Sequence, residues 1–173
     1  MIITQAQLDD LAAQAKVSPR LRCNLDLRNS ADDKSQRMLN ALEPGTVMPI
    51  HRHRHSSETC VCVRGHFVEY FYDAQGCVTD TIDMVPGGTI LNIPIGQWHS
   101  LKCLESGTVL LEAKDGAWEP LGEEDIFEHG DAITRMDTNM TNGYATESQR
   151  IRENSGDSCS RRIRLFTNQD IYL

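Results

Sequence analysis

Residues 45–65 read GTVMPIHRHRHSSETCVCVRG, and their histidines and glutamate have the spacing of a β-built site. On a β-strand, residues i and i+2 point to the same face about 7 Å apart, so His51 and His53 can converge on one ion. Glu58 follows after a four-residue turn and can supply an oxygen ligand from the next strand, although His55 in that turn could take its place or compete with it. This stretch therefore predicts three ligands of a metal site built on β-strands.

A third imidazole, that of His99, follows the turn sequence Pro94-Ile95-Gly96-Gln97-Trp98. Three imidazoles and a carboxylate leave open positions on a five- or six-coordinate metal, which can bind and polarise a substrate. These ligand types accept Zn, Fe, Mn, Ni or Co, so they do not identify the metal. The sequence thus predicts one divalent metal ion on a set of four ligands, His51, His53, Glu58 and His99.

Short strands separated by turn residues surround this site. Residues 20–28 alternate between apolar and polar, and from Met38 to Asp115 turns such as Pro44-Gly45 recur without a helical period. The candidate strands lie at 20–28, 36–42, 46–53, 58–64, 66–72, 77–84, 89–93, 98–103 and 108–114. Their spacing is typical of an antiparallel sandwich or barrel, an all-β fold.

Both ends of the chain differ from this pattern. Thr4 with Gln7 three residues later is a capping signature, which predicts a short amphipathic helix over 4–16. Residues 128–173 are rich in polar side chains, and we expect a loosely packed, irregular C-terminal extension there, with a turn at Asn142-Gly143 and one strand at 162–166. The domain prediction is therefore one domain over 1–127, including the helix, and an extension over 128–173.

Composition excludes several classes of function. The chain has 173 residues, which suits one domain, and its formal net charge is −8 without a basic block, which disfavours nucleic-acid binding. No run of about 18 apolar residues predicts a membrane helix. Because no secretory signal is readable, we expect a cytoplasmic protein whose six cysteines are free thiols.

Two motifs make a resemblance specific. Residues 45–65 fit G-x5-H-x-H-x4-E-x6-G and residues 88–99 fit G-x5-P-x-G-x2-H, the two motifs of the cupin superfamily. The resemblance implies a cupin fold, a conical double-stranded β-helix or jelly-roll barrel with the metal inside. The second motif usually ends with Asn, and this chain has Cys103 at that position. The Asn is not usually a metal ligand, so the difference leaves the predicted metal site intact.

The flanking sequence narrows the resemblance to the WbuC family of cupin-fold metalloproteins. The stretches that carry it are 18–20, 36–46 and 112–116, and it covers about residues 4–127. The early strand of that family often carries His where this chain has Asp26. The resemblance therefore assigns no metal-ligand or substrate-binding role to Asp26. The resemblance implies an association with surface-polysaccharide (O-antigen-type) biosynthesis, with an unassigned reaction.

We therefore expect a metal-binding protein that acts on, or senses, a small sugar-derived metabolite. An isomerase- or epimerase-like reaction is favoured, but it needs a general base that the sequence does not identify, so catalytic residues stay unassigned. The alternatives are an iron-dependent dioxygenase and a non-catalytic, metal-dependent ligand sensor or binding protein, because cupins host all of these. By analogy with other cupins we expect a homodimer, with neither nucleic acid nor membrane as partner.

Two further residues are candidates for the substrate pocket. Cys60 shares the face of Glu58 by the two-residue period of a strand, so it is expected in the cavity wall near the metal. Arg22 lies on the polar face of the early strand and could receive a phosphate or carboxylate, although a solvated strand face explains it as well. Trp98 is expected to face away from the metal, next to His99 in the chain.

Overall fold

A computed structural model of the chain describes residues 2–127. Its elements are α1 (Gln5–Val17), β1 (Arg22–Asp26), β2 (Ser35–Leu42), β3 (Glu58–Arg64), β4 (Phe67–Tyr72), β5 (Val78–Met84), β6 (Ile90–Ile93), β7 (Trp98–Cys103), β8 (Thr108–Asp115) and a 3₁₀ turn (Glu123–Asp125). The predicted extension, with its turn at Asn142-Gly143 and its strand at 162–166, lies outside the described residues. The domain boundary at residue 127 therefore stays a prediction.

Helix α1 begins where the capping signature predicts. The Gln7 amide donates to Thr4 Oγ1, and the Thr4 amide donates to Gln7 Oε1 at 2.9 Å, which forms a reciprocal capping box. One face of α1 packs on the outside of the larger sheet, in a cluster of buried apolar residues: Leu8, Leu11, Ala15, Leu39, Ala41 and Val109. No helix in the described range is long and apolar enough to cross a membrane.

The strands form two antiparallel sheets. The larger has the order β1-β2-β8-β3-β6 and the smaller the order β5-β4-β7. Between them lies a core to which both sheets contribute: Leu42, Cys60, Cys62, Phe67, Met84, Leu101, Cys103 and Leu110. The alternating burial of β3, with Glu58, Cys60 and Cys62 buried, confirms the predicted two-residue period. The five cysteines that the structure describes are free thiols, as expected.

One predicted strand, 46–53, is wrong. Within that segment the pairing amounts to isolated bridges centred on His51, to His99 and to Ile126, rather than a continuous ladder. Pro49 offers no amide hydrogen to a ladder, and Pro44-Gly45 turns the chain just before, so a continuous strand does not form. The other candidate strands are confirmed within one or two residues at each end.

Gly65, the last glycine of the first motif, is required because the neighbouring strand lies very close to it. Gly65 has φ +80° in the turn between β3 and β4. A Cβ there would lie 2.4 Å from Thr108 Oγ1 and 2.7 Å from Thr108 Cα. Both the left-handed backbone and the neighbouring strand therefore exclude larger residues.

Candidate metal centre

Backbone pairing brings the three predicted imidazoles together. His51 and His53 lie in the segment that precedes β3, and His99 lies in β7. The His51 amide donates to His99 O at 2.9 Å, and the His99 amide donates to His51 O at 2.8 Å. One ring nitrogen from each of the three histidines lies within 4.8 Å of those of the other two. This is a compact group of nitrogen atoms that could hold a single ion.

The tautomers of two imidazoles suit metal binding. His51 Nδ1 donates to Pro49 O at 3.1 Å, and His99 Nδ1 donates to Gln97 O at 2.9 Å. A carbonyl only accepts, so each Nδ1 carries the proton and each Nε2 keeps its lone pair. His99 Nε2 is buried and has no hydrogen-bond partner among the described residues. A buried polar atom without a partner is rare, and a metal ion at this position would satisfy it.

Burial keeps these imidazoles neutral. It lowers the pKa of His51 well below the ordinary histidine value, and the neighbouring His99 and His53 lower it further. Burial also lowers the pKa of His99, although Glu58 acts in the opposite direction. Neutral imidazole is the form that binds metal, so the fold holds these two side chains ready for it.

Glu58 lies beside the three imidazoles and is shared with a lysine. Its Oε2 lies 3.1 Å from His53 Nε2, 4.0 Å from His99 Nε2 and 3.2 Å from Lys114 Nζ. Burial by itself would raise the pKa of Glu58, but the Lys114 ammonium group and the hydrogen bond with His53 hold it below the usual range. Glu58 is thus a buried carboxylate next to the histidine cluster, and its role as a fourth ligand stays a prediction.

Three charged residues that the sequence analysis missed also face this site. On β8, Glu112 and Lys114 continue the inward face that begins at Leu110. In the β3–β8 ladder Lys114 lies directly opposite Glu58, and Glu112 lies opposite Cys60. The available signal was the two-residue period of a strand, in which Leu110, Glu112 and Lys114 share one face.

The third missed residue is Glu69 of β4, which is 2% exposed. Burial raises the pKa of Glu69 well above the ordinary value, and Glu58 and Glu112 raise it further. Burial, followed by the charge of Glu58, also raises the pKa of Glu112 to about 7, although Lys114 opposes this. The cavity therefore contains one carboxylate held ionised and two carboxyl groups that favour the protonated form.

A small cavity opens beside the histidines. It holds about 250 Å³ of space, part of it open to solvent. Its lining residues are Met48, His51, Glu58, Cys60, Glu69, His99, Ser100, Leu101 and Glu112. Much of this space is open solvent or too narrow for an atom, so the enclosed part holds little more than a water molecule.

Cys60 lies in the cavity wall, and burial raises the pKa of its thiol. A contact of Cys60 with substrate stays a prediction. Arg22 lies outside the lining residues of that cavity. Its Nη1 donates to Val47 O at 2.5 Å and lies 3.0 Å from Met48 Sδ, directly behind the cavity wall. A contact of Arg22 with substrate stays a prediction.

The segment that carries the first two histidines is held from outside by residues 122–127. The Arg52 amide donates to Asp125 O at 3.0 Å, and the Phe127 amide donates to Ile50 O at 2.8 Å. The Arg52 guanidinium lies 4.3 Å from the centre of the Trp98 ring, which in turn contacts Phe127 edge to face. Trp98 therefore packs against Arg52 and Phe127, outside the cavity.

Comparisons with known proteins agree with this architecture. A family described as a domain of unknown function (DUF6016) matches residues 3–84, less than half of the chain. No curated protein matches. Among solved structures, KdgF from Halomonas sp. aligns with a TM-score of 0.47 and 16% identity over 58% of this chain and 83% of its own.

Two other structures align slightly better by TM-score. The capsular polysaccharide assembling protein CapF from Staphylococcus aureus aligns with a TM-score of 0.52 and 20% identity over 60% of this chain and 28% of its own. Recombinant oxalate oxidase in complex with glycolate aligns with a TM-score of 0.50 and 13% identity over 60% of this chain and 55% of its own. This chain thus spans less than a third of CapF and about half of oxalate oxidase. Both are cupin-fold proteins, so the likeness shows that this chain has the cupin fold.

Proposed function

We propose that this protein binds one divalent metal ion with His51, His53 and His99, joined by Glu58, and uses it to bind a small metabolite. The observation that carries the proposal is His99 Nε2, a buried nitrogen without a hydrogen-bond partner in residues 2–127, close to the ring nitrogens of the two other histidines. The metal would be Zn, Fe, Mn or Ni, since imidazole and carboxylate ligands accept all four.

The chemistry of such a site follows from its surroundings. A bound divalent ion supplies Lewis acidity, which polarises a carbonyl or hydroxyl oxygen. Glu69 and Glu112 line the same cavity and are the described groups placed to accept or donate a proton there. Met48 and Leu101 give the cavity an apolar wall, which limits the access of water to a bound ligand.

For this metal site we propose an isomerase- or epimerase-like reaction on a sugar-derived metabolite in the cytoplasm. An isomerase moves a proton between neighbouring carbon atoms, and an epimerase removes a proton from one face of a carbon and returns one to the other face. Both need a group near the polarised bond that accepts and returns the proton, a position that Glu112 and Glu69 fit. The link to surface-polysaccharide biosynthesis rests on the resemblance to the WbuC family. CapF is named for capsular polysaccharide assembly, and its likeness to this chain concerns the fold alone.

The metal content of the purified protein tests the proposal. We expect about one equivalent of metal in the wild type and a large loss in His51→Ala and in His99→Ala. His55→Ala is the matched control, because His55 lies in the same stretch but is exposed and outside the cluster. Equal metal content in the wild type and both cluster variants would disprove the site.

The two alternative functions give different results with the loaded protein. An iron dioxygenase would consume oxygen when the ferrous protein meets its substrate, because three imidazoles and a carboxylate leave positions open for O₂. A sensor or binding protein would bind a ligand without turnover. Measuring oxygen uptake and product formation on sugar-derived candidates separates the three functions.

We also propose a homodimer, by analogy with other cupin barrels. Light scattering at micromolar protein concentration should return twice the chain mass of 19.4 kDa. A mass of one chain would disprove it.

A further inference from the structure

One carboxyl group in the cavity wall has no partner among the described residues. Glu69 of β4 is 2% exposed, and it lines the cavity together with His51 and His99. Its carboxyl group makes no hydrogen bond and no ion pair with any residue in the described range 2–127. Buried polar groups are nearly always hydrogen-bonded, so a carboxyl group left without a partner in a cavity wall indicates that a molecule in the cavity satisfies it.

The two other carboxyl groups of the cavity differ from Glu69 in this respect. Glu58 Oε2 lies 3.2 Å from Lys114 Nζ, and Glu112 Oε2 lies 3.7 Å from the same atom. Glu112 is also hydrogen-bonded to Asn40. These partners all belong to the larger sheet, whereas Glu69 belongs to the smaller one. Glu69 is therefore the carboxyl group in the cavity wall that is left to bind a ligand.

The surroundings of Glu69 keep it protonated. In the ladders of the smaller sheet it lies between two apolar residues, Ile82 and Leu101. Burial raises the pKa of Glu69, and the negative charges of Glu58 and Glu112 raise it further. Leaving a carboxylate unpaired in such a place costs far more free energy than protonating it. A protonated carboxyl group has one O–H donor, so the smaller sheet presents a hydrogen-bond donor to the cavity.

We propose that Glu69 is a ligand-binding residue, whose carboxyl O–H donates a hydrogen bond to the ligand atom that lies in the cavity next to the histidine cluster. This inference rests on the proposed metal function and names the class of its ligand, one whose innermost atom accepts a hydrogen bond and carries or gains negative charge. The enclosed part of the cavity holds little more than a water molecule, so an atom in it that faces His51 and His99 is also within reach of Glu69.

This role of Glu69 suits the proposed reaction. A carbonyl or hydroxyl oxygen that is polarised gains negative charge, and a donor that is already in place stabilises this charge without reorganisation. Glu69 then acts as the donor to the ligand oxygen. Glu112, which is hydrogen-bonded within the larger sheet, is left as the group that exchanges a proton with the ligand.

Fluoride and chloride form a matched pair of probes. Both are anions of a single atom, and fluoride is similar in size to a water molecule, so cavity size cannot exclude it. Fluoride accepts hydrogen bonds much more strongly than chloride. The protein is loaded with Co²⁺, the stoichiometry is measured, and each anion is titrated at neutral pH and constant ionic strength while the visible Co²⁺ spectrum is recorded. We expect fluoride to bind the wild type more tightly than chloride.

Two variants assign the preference for fluoride to the donor of Glu69. Glu69→Met keeps a side chain of similar length without a donor, and it should raise the dissociation constant of fluoride at least about tenfold. Glu69→Gln keeps a donor in its amide group, so its dissociation constant should stay within about threefold of the wild type. Chloride binding should change little in both variants, because neither changes the charge of the cavity. The control is Glu119→Met, which replaces an exposed glutamate outside the cavity lining and should behave as the wild type.

Infrared difference spectra test the contact directly. The C=O stretch of a protonated carboxyl group lies apart from the amide bands, and its frequency shifts when the group gains a hydrogen bond. Adding fluoride to the metal-loaded wild type should shift such a band, and the same band should be absent from Glu69→Gln. A role of Glu69 in packing alone would not produce this shift.

The outcomes separate the two proposals. If the wild type takes up no Co²⁺, the metal function fails, and this inference fails with it. If Co²⁺ binds normally but fluoride binds equally to the wild type and Glu69→Met, and no carboxyl band shifts, the metal function stands and the role of Glu69 is disproved. Tighter binding of both anions to Glu69→Gln than to the wild type would show that Glu69 is an ionised carboxylate that repels anions, which also overturns the inference.

Discussion

His51 and His99 exchange backbone hydrogen bonds in both directions, at 2.9 Å and 2.8 Å. These two residues, far apart in the chain, are thereby held side by side by their main chains, independently of any ion. Their ring centres lie 4.2 Å apart. The fold therefore positions the candidate metal ligands without an ion, so that little conformational entropy would be lost on metal binding.

Metal should stabilise the protein through this prepared site. A ligand that binds only the folded state at 100 times its dissociation constant adds about 2.7 kcal/mol to the free energy of unfolding. We expect Zn²⁺ or Co²⁺ to raise the melting temperature of the wild type and of His55→Ala by several degrees. His99→Ala should show no such rise, and a rise equal to that of the wild type would contradict the site.

Acid should destabilise the metal-free protein through the buried imidazoles. The pKa of His51 and that of His99 are lowered in the fold, so below the ordinary value of 6.5 the unfolded chain binds protons that the folded protein does not. Stability present above pH 6.5 is therefore lost as the pH falls, by up to about 1.4 kcal/mol per pH unit for each imidazole.

Glu69 and Glu112 have raised pKa values in the fold, so they favour the folded state as the pH falls. The test therefore compares the free energy of unfolding of variants and wild type at each pH. Chemical denaturation of the metal-free proteins should show that the free energy of unfolding falls less between pH 7.5 and pH 5 for His99→Gln than for the wild type. His55→Gln should follow the wild type. Parallel curves for all three proteins would show that His99 does not titrate differently in the folded and unfolded states.

Replacing Glu112 by Gln should stabilise the metal-free protein in alkali. Burial and the charge of Glu58 raise the pKa of Glu112 to about 7 from an ordinary 4.5. The penalty for ionising it in the fold grows as the pH rises through this window, to at most about 3 kcal/mol. The gain of Glu112→Gln over the wild type, measured by denaturation, should therefore increase from pH 5 to pH 8.5.

The control for this measurement is Glu119→Gln, because Glu119 is exposed. The difference in the free energy of unfolding between Glu119→Gln and the wild type should not change with pH. A flat difference for Glu112→Gln as well would mean that Lys114 compensates the carboxylate fully when it ionises.

Gly65→Ala should be strongly destabilising. Its φ of +80° disfavours alanine, and the added Cβ would lie 2.7 Å from the backbone of Thr108. We expect a loss of more than about 2 kcal/mol in the free energy of unfolding, measured by urea denaturation. Gly87→Ala is a matched control, since φ is +70° there but nothing lies within 4 Å, and it should lose only about 1 kcal/mol. Equal losses would indicate that the backbone angle alone matters.

Much of the fold was predictable from local patterns. The capping pair Thr4 and Gln7 predicted α1 within one residue, and the strands were readable from alternation and from turn residues. The one wrong strand, 46–53, shows the limit of such reasoning. Alternating side chains there are compatible with a strand, but a strand also needs one continuous partner. The backbone hydrogen bonds around His51 are instead divided between residues 96–99 and 125–127.

By itself, the sequence determined the identity of the candidate metal residues. His51 and His53 are two residues apart, Glu58 begins the next strand, and His99 follows a turn, all of which are local facts. Motif spacing also determined the fold class, because the turns between short strands are specified by their own glycines and prolines.

Only the tertiary structure decided which charges surround those residues. Lys114 lies opposite Glu58 because β3 pairs with β8 in one register, and a slip of one residue would turn its side chain to the other face. Glu69 reaches the same cavity from the other sheet. Register between distant strands depends on the packing of the whole core, so a local pattern cannot specify it. That register places a lysine and two carboxyl groups with raised pKa values beside the imidazoles.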